Sequence, residues 1–302
     1  MQIFIFLFLC IVWGTTWVAI KISLEGLPPF LGASARFMVA IIILFCYLKL
    51  KNITLKLEKK DFWIISLSAF LMYTLDYGLI YWGEQYLSAG VTAIFFATFP
   101  LFIGIWSTFL FRNELFRWNK FIGLLLGSIG VLIVFFDQLL LTQFERMVIL
   151  GIWAIIIGAA CGAMSVVLVK KYLTKINPVT LSFHQMLQGV IFLFIFGLLL
   201  ENPTQIQLNL RIALAVLYLG AIGSSLAFAL WYFLLQQLTA TTLSLIIYIT
   251  PIVALLVDYL VFGDIIQFRA VIGMIIIFSG IAFVELDLQK INKIHKQLSK
   301  QR

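Results

Sequence analysis

Tyr73, Asp76, Tyr77, Ile80, Tyr81 and Glu84 recur at intervals of three and four within one apolar stretch, a spacing that places them on one face of a helix. Aromatic rings with polar tips beside a carboxylate can hold a small organic ligand through ring faces and a few hydrogen bonds. The corresponding residues 151 positions later are Ser224, Ala227, Phe228, Trp231, Tyr232 and Leu235. Tyr73, Tyr77, Tyr81, Trp231 and Tyr232 are therefore candidate substrate-binding residues, the alternative being a packed aromatic core. Trp82 and Tyr86, nearer the end of the stretch, read as an interfacial belt. Asp76 is the sharpest residue of the set. In mid-membrane a charge costs roughly 2.5–3.5 kcal/mol, so it should face other helices or water, where it is a candidate for proton coupling or for a hydrogen-bonded strut.

A second set lies elsewhere in the chain. Lys21 shares a face with Trp17 and Gly14, and Trp13 lies beside them. The lysine head could bind a substrate carboxylate or snorkel to the interface, which makes Trp13, Trp17 and Lys21 further binding candidates. Pro100 and Pro251 stand 151 positions apart and each removes a helix hydrogen bond, marking candidate hinges. Tyr248 and Thr250, with carbonyls freed by Pro251, could line a cavity. Arg36 reads as an interface or packing charge, Asp258 as a charge close enough to the outer surface to be solvated, His184 as a polar contact, and Glu114 and Asp264 as loop fasteners.

Catalytic groupings are sparse. Cys10, Cys46 and Cys161 show no CxxC or Cys/His spacing, so they suggest neither a metal site nor a disulfide framework. A phosphate-binding glycine loop with a following lysine is absent from the sequence. Ser165 with His184 is the one Ser/His pairing to weigh, and no acid adjoins it. An enzyme is not expected, nor is a cofactor or metal.

The elements that position these residues follow from composition. With 63% apolar and 11% charged residues and a mean hydropathy of +1.10, the chain has too little polar surface for a soluble globule. It reads as an all-α polytopic membrane protein with ten transmembrane helices. The expected spans are 3–24, 31–50, 62–86, 88–111, 119–136, 147–169, 179–200, 211–235, 240–262 and 268–286. They divide into two five-helix repeats, 1–137 and 147–288, followed by a basic cytoplasmic tail, 289–302. Leu75, Tyr81, Gln85, Ala89, Pro100 and Phe111 match Leu226, Tyr232, Gln236, Ala240, Pro251 and Phe262 in register. The offset is 149 for Lys21 and Pro29 against Lys170 and Pro178, and 150 for Gly123 and Gly130 against Gly273 and Gly280. An odd number of crossings per copy inverts the second copy, an arrangement common in secondary transporters. Whether the fifth and tenth spans pack within one chain or across a homodimer is left open.

Most of the 21 basic residues fall on one side of this topology, among them Lys49, Lys51, Lys56, Lys59, Lys60, Lys170, Lys171, Lys175 and the cluster from Lys290. By the positive-inside rule both termini face the cytoplasm of a plasma membrane. The net charge of +8 is then a topological signal and not a nucleic-acid footprint, and the tail is suited to anionic lipid. The N-terminal apolar run, preceded only by Met1 and Gln2, lacks a basic leader and reads as the first span.

Trp13 to Lys21 (WGTTWVAIK), with Pro28, Pro29 and Ala35 to Phe37, resembles the opening of an EamA-type member of the drug/metabolite transporter superfamily. Tyr81 to Gly90 (YWGEQYLSAG), Phe96 to Pro100, Glu114, Leu238 to Pro251 and Phe262 to Asp264 extend the resemblance over residues 3–286. The second copy departs from the first in carrying Gln185 and Met186 in place of Arg36 and Phe37. The resemblance implies a ten-helix inverted-repeat fold around a central cavity, used to export amino acids or related small metabolites by alternating access. The expected partners are thus a small-molecule substrate, protons as a co-substrate to be tested, and the bilayer. An inverted-repeat channel or facilitator is the alternative.

Overall fold

A hydrocarbon environment leaves backbone groups no partner but each other, so apolar runs of this length close their hydrogen bonds within helices. The computed structural model describes residues 1–111, 118–262 and 267–300, with only the backbone for 257–262 and 285–300. Among the described residues the helices in order are α1 (Gln2–Leu24), α2 (Pro29–Leu50), α3 (Lys59–Glu84), α4 (Ala89–Leu110), α5 (Trp118–Val134), α6 (Arg146–Tyr172), α7 (Pro178–Leu200), α8 (Leu210–Gln237), α9 (Ala240–Leu256) and α10 (Phe268–Val284). Seven of them are long and apolar enough to cross a membrane, and α5, α9 and α10 are shorter apolar helices. The ten match the expected spans to within a few residues. The helical backbone of α9 runs on to Phe262 and that of α10 to Lys300, so the expected tail continues the last helix. Glu114 and Asp264 lie outside the described residues, as do the side chains of Asp258 and of the basic cluster from Lys290.

The two copies use the same local devices at equivalent positions. Pro29 and Pro178 each open a helix, where a missing N–H costs nothing. Ser88 and Thr239 cap α4 and α9, their hydroxyls accepting from Val91 N at 3.3 Å and Thr242 N at 3.0 Å. Both α3 and α8 widen into π-helix in mid-course, at Phe70–Asp76 and Ala221–Leu226. Lys21 Nζ donates to Glu84 O at 2.6 Å and Leu87 O at 2.8 Å, and its counterpart Lys170 Nζ donates to Leu235 O at 2.7 Å. Each lysine thus satisfies carbonyls at the C-terminal end of the third helix of one copy, where the helix dipole also favours a cation.

The halves meet antiparallel. A Cβ built on Gly123 would lie 2.8 Å from Gly280 O, and one on Gly130 would lie 2.9 Å from Gly273 O. As the number rises along α5 it falls along α10, and exchanging Gly123 with Gly273 and Gly130 with Gly280, their repeat equivalents, turns one contact into the other, so this close approach sits on the internal two-fold relation between the copies. The packing is within one chain. Small residues allow such contact where lipid supplies no hydrophobic drive. Between α3 and α6, Ser165 Oγ donates to Ser68 O at 2.7 Å, and the carbonyl of Gly151 lies 2.8 Å from a Cβ on Gly83. The Glu201 carboxylate, just past α7, accepts from Phe30 N at 2.8 Å and Leu31 N at 3.0 Å, which caps α2 from the other half.

Candidate functional site

At the centre of the bundle the wide π turns bring side chains of α3 and α8 toward α1, α4 and α9. There they enclose a cavity of about 60 Å³. Trp13, Thr16 and Trp17 line it from α1, Met72, Asp76, Tyr77 and Ile80 from α3, Phe96 and Phe99 from α4, Phe228 and Trp231 from α8, and Ile247 and Thr250 from α9. This volume holds a few waters and is well below the several hundred Å³ usual for a ligand site. A larger recess of about 470 Å³ lies at the end of the bundle that carries the Ser88 turn, bordered by Gly14, Trp17, Ser88, Gln138 and Pro251. Trp17 borders both spaces. Its ring meets Phe96 edge-on at 5.4 Å, and Phe96 stacks on Phe99 at 5.3 Å, so aromatic rings part the recess from the cavity.

Asp76 is 2% exposed, and its Oδ1 has no hydrogen-bond partner. The facing helix makes room for it with glycines: a Cβ on Gly158 would lie 3.3 Å from Oδ1, and one on Gly162 would run into Oδ2 and lie 3.2 Å from Phe99. The α6 glycines therefore do more than let helices approach. They leave the notch that the carboxylate occupies. Opposite in sequence logic, Trp13 packs on Trp231 at 4.9 Å and Phe228 at 5.7 Å, and donates its indole N–H to Gly223 O at 3.3 Å inside the π stretch of α8.

Of the residues singled out from the sequence, Trp13, Trp17, Asp76, Tyr77 and Trp231 converge on the cavity. Tyr73, Tyr81 and Tyr232 are fully buried behind it, with Tyr73 against Phe37 at 5.0 Å and Tyr232 against Phe228 at 6.1 Å. Tyr248 turns away toward α5, donating to Leu124 O at 2.6 Å. Lys21 is engaged at the end of α3 as described. Ser165 and His184 each bond a backbone carbonyl, of Ser68 and Leu55 respectively, and not each other. The α4 helix is interrupted at Ala97 and Thr98, ahead of Pro100, which takes an early position of the next helical segment where its missing N–H is tolerated. In α9 the interruption is at Leu245, and Pro251 lies inside the helix that follows. The carbonyl of Ile247, four residues before Pro251, accepts from Thr250 Oγ1 at 3.0 Å.

Of its two readings, an interface or a packing charge, Arg36 takes the second in the structure. It is 1% exposed, with Nε donating to Ser224 Oγ at 3.0 Å and Nη2 to Gly223 O at 3.4 Å, and its guanidinium lies 4.9 Å from the Tyr77 ring centroid. The π turn of α8 presents the carbonyl that draws it inward, and position along α2 alone carries no trace of that. The buried Glu84 carboxylate lies in the fields of Lys21 and Arg36. Phe96 was also missed as a cavity residue, and Phe228, on the expected face of α8, was not named as a contact. Twenty-nine phenylalanines in the chain hide the few that matter.

A search of solved structures finds a crystal structure that superposes with a TM-score of 0.79, covering 96% of this chain and 98% of that one at 17% identity, a likeness of fold alone. Similar full-length proteins include the uncharacterized transporter YoaV of Bacillus subtilis, 25% identical over 90% of this chain and 92% of its own length. Protein PagO of Salmonella typhimurium is 25% identical over 92% and 90%, and the uncharacterized transporter YdfC of Bacillus subtilis is 27% identical over 93% and 90%. The profile of the EamA-like transporter family matches residues 1–136 and again 149–286, one match for each half of the inverted bundle. With ten apolar helices in two antiparallel copies around an aromatic cavity, this integral membrane protein belongs to the EamA-like transporter family.

Proposed function

We propose that the chain is a secondary transporter that exports amino acids or related small metabolites across the plasma membrane by alternating access, with both termini in the cytoplasm. The observation that carries this reading is the pairing of an aromatic-walled, narrow cavity with a larger recess beside it, parted by the rings of Trp17 and Phe96. A narrow aromatic cavity set beside such a recess suits a cycle of exposure better than an open channel does. Trp13, Trp17, Tyr77 and Trp231 serve as substrate contacts, and Tyr73, Tyr81 and Tyr232 support them from behind. Pro100 and Pro251 mark where α4 and α9 flex. Asp76 is the proton-coupling residue, with Tyr77 beside it on α3 and Cys161 on the facing α6 as the titratable neighbours that feel its charge. The test is uptake of a radiolabelled amino acid into proteoliposomes, with metabolites as competitors and with and without an imposed pH gradient. Saturable uptake that loses its gradient dependence in Asp76→Asn supports the reading. Full gradient dependence in that variant removes Asp76 from coupling.

A further inference from the structure

The two copies diverge at one place in the cavity wall. In the first copy Asp76 on α3 fits against Gly162 on α6, and the repeat equivalents of this pair are Ala227 and Trp13. Duplication alone would have given two like walls. Instead one side carries a carboxyl group in a glycine notch and the other an indole packed on Phe228 and Trp231.

A carboxylate in a low-dielectric site is costly unless a partner of opposite charge or a set of donors meets it. Among the described residues Asp76 Oδ1 has no partner, and no lysine, arginine or histidine lines the cavity. Arg36, the nearby cation, stands on the Tyr77 ring outside the lining and donates from Nε to Ser224 and from Nη2 to Gly223, while its Nη1 has no partner. A ligand with an ammonium group supplies the missing charge through a charge-assisted hydrogen bond, and ring faces attract the same cation and cover its apolar body. A ligand carboxylate finds only neutral donors in the lining, such as the unpartnered indole N–H of Trp231.

We propose that the central cavity recognises an amine-bearing organic cation, its ammonium held by Asp76 and its apolar body by the aromatic wall of Trp13, Phe228 and Trp231, in preference to the corresponding zwitterionic amino acid. This deepens the transporter reading and rests on it, because the narrowed cavity must widen during the cycle to take a whole ligand.

The test compares two probes with the same ring and the same amine that differ in a carboxylate: phenethylamine and phenylalanine, each titrated into the purified full-length protein in detergent by calorimetry. Phenethylamine should bind about tenfold or more tightly than phenylalanine, and Asp76→Asn should weaken phenethylamine by a similar factor. Trp13→Leu keeps the carboxylate and removes the indole, and should weaken phenethylamine as well, which covers the case in which the Asp76 variant does not fold. Phenylalanine binding as tightly as phenethylamine, neither probe binding, or unchanged affinity in Asp76→Asn overturns the proposal. Failure of the transporter reading looks different: phenethylamine binds with this pattern, yet labelled phenethylamine is not exchanged across proteoliposomes that contain the protein.

Discussion

Lys21 distinguishes two roles that its sequence position could not separate. A lysine one helical face from two tryptophans suits a ligand carboxylate, but the structure gives its ammonium two backbone carbonyls at the end of α3, and Lys170 does the same for α8. Hydrogen bonds to a charged group contribute roughly 1.5–3 kcal/mol. Lys21→Met should therefore lower the melting temperature by an amount worth about 2 kcal/mol and leave ligand affinity unchanged, as read by thermal denaturation and calorimetry. A drop in affinity with unchanged stability would assign Lys21 to the substrate instead. Arg36 makes a parallel case. Its planar fork bonds Ser224 and Gly223 while its face lies by Tyr77, and an ammonium cannot reproduce that geometry. Arg36→Lys should destabilise the protein by about 2 kcal/mol in the same denaturation measurement, since it leaves buried acceptors unmet.

At the scale of helices, the caps and glycines decide how the two copies are held. Ser88→Ala and Thr239→Ala each remove the side-chain acceptor at the start of α4 or α9, and each should cost about 1 kcal/mol in thermal unfolding, with similar effects because the caps are repeat equivalents. Gly130→Ala puts a methyl 2.6 Å from the Ile277 side chain and 2.9 Å from Gly273 O, so α5 and α10 must part, at a cost of about 1–3 kcal/mol on the same readout. Apolar run length made the ten helices legible in the sequence, and the three-and-four spacing found Asp76 and Tyr77. The π stretches did not announce themselves. Tyr73, inside the wide turn, and Tyr81, beyond it, are buried behind the cavity, while Asp76, Tyr77 and Ile80 of the expected face line it and Met72 joins them. Tyr248 shows a second limit. Spacing along α9 cannot reveal that α5 approaches closely enough, through Gly127, to take its ring.

For the whole molecule, duplication was legible because matched residues survive at an offset of about 150, and the opposed crossing of α5 and α10 gives that duplication its inverted geometry. The copies stop being alike in the cavity wall: a carboxyl group and a glycine on one side, an alanine and an indole on the other. The central claim is that the narrowed cavity is one stage of a cycle that exposes the same site to either face in turn. Counterflow tests it most directly. Proteoliposomes holding the protein are preloaded with unlabelled phenethylamine and diluted into a trace of the labelled compound. Alternating access predicts transient accumulation of label above the equilibrium level, saturable in the external concentration and absent without preloading. Label that enters at a rate proportional to concentration, with no effect of preloading, would contradict the account and mark the protein as a channel.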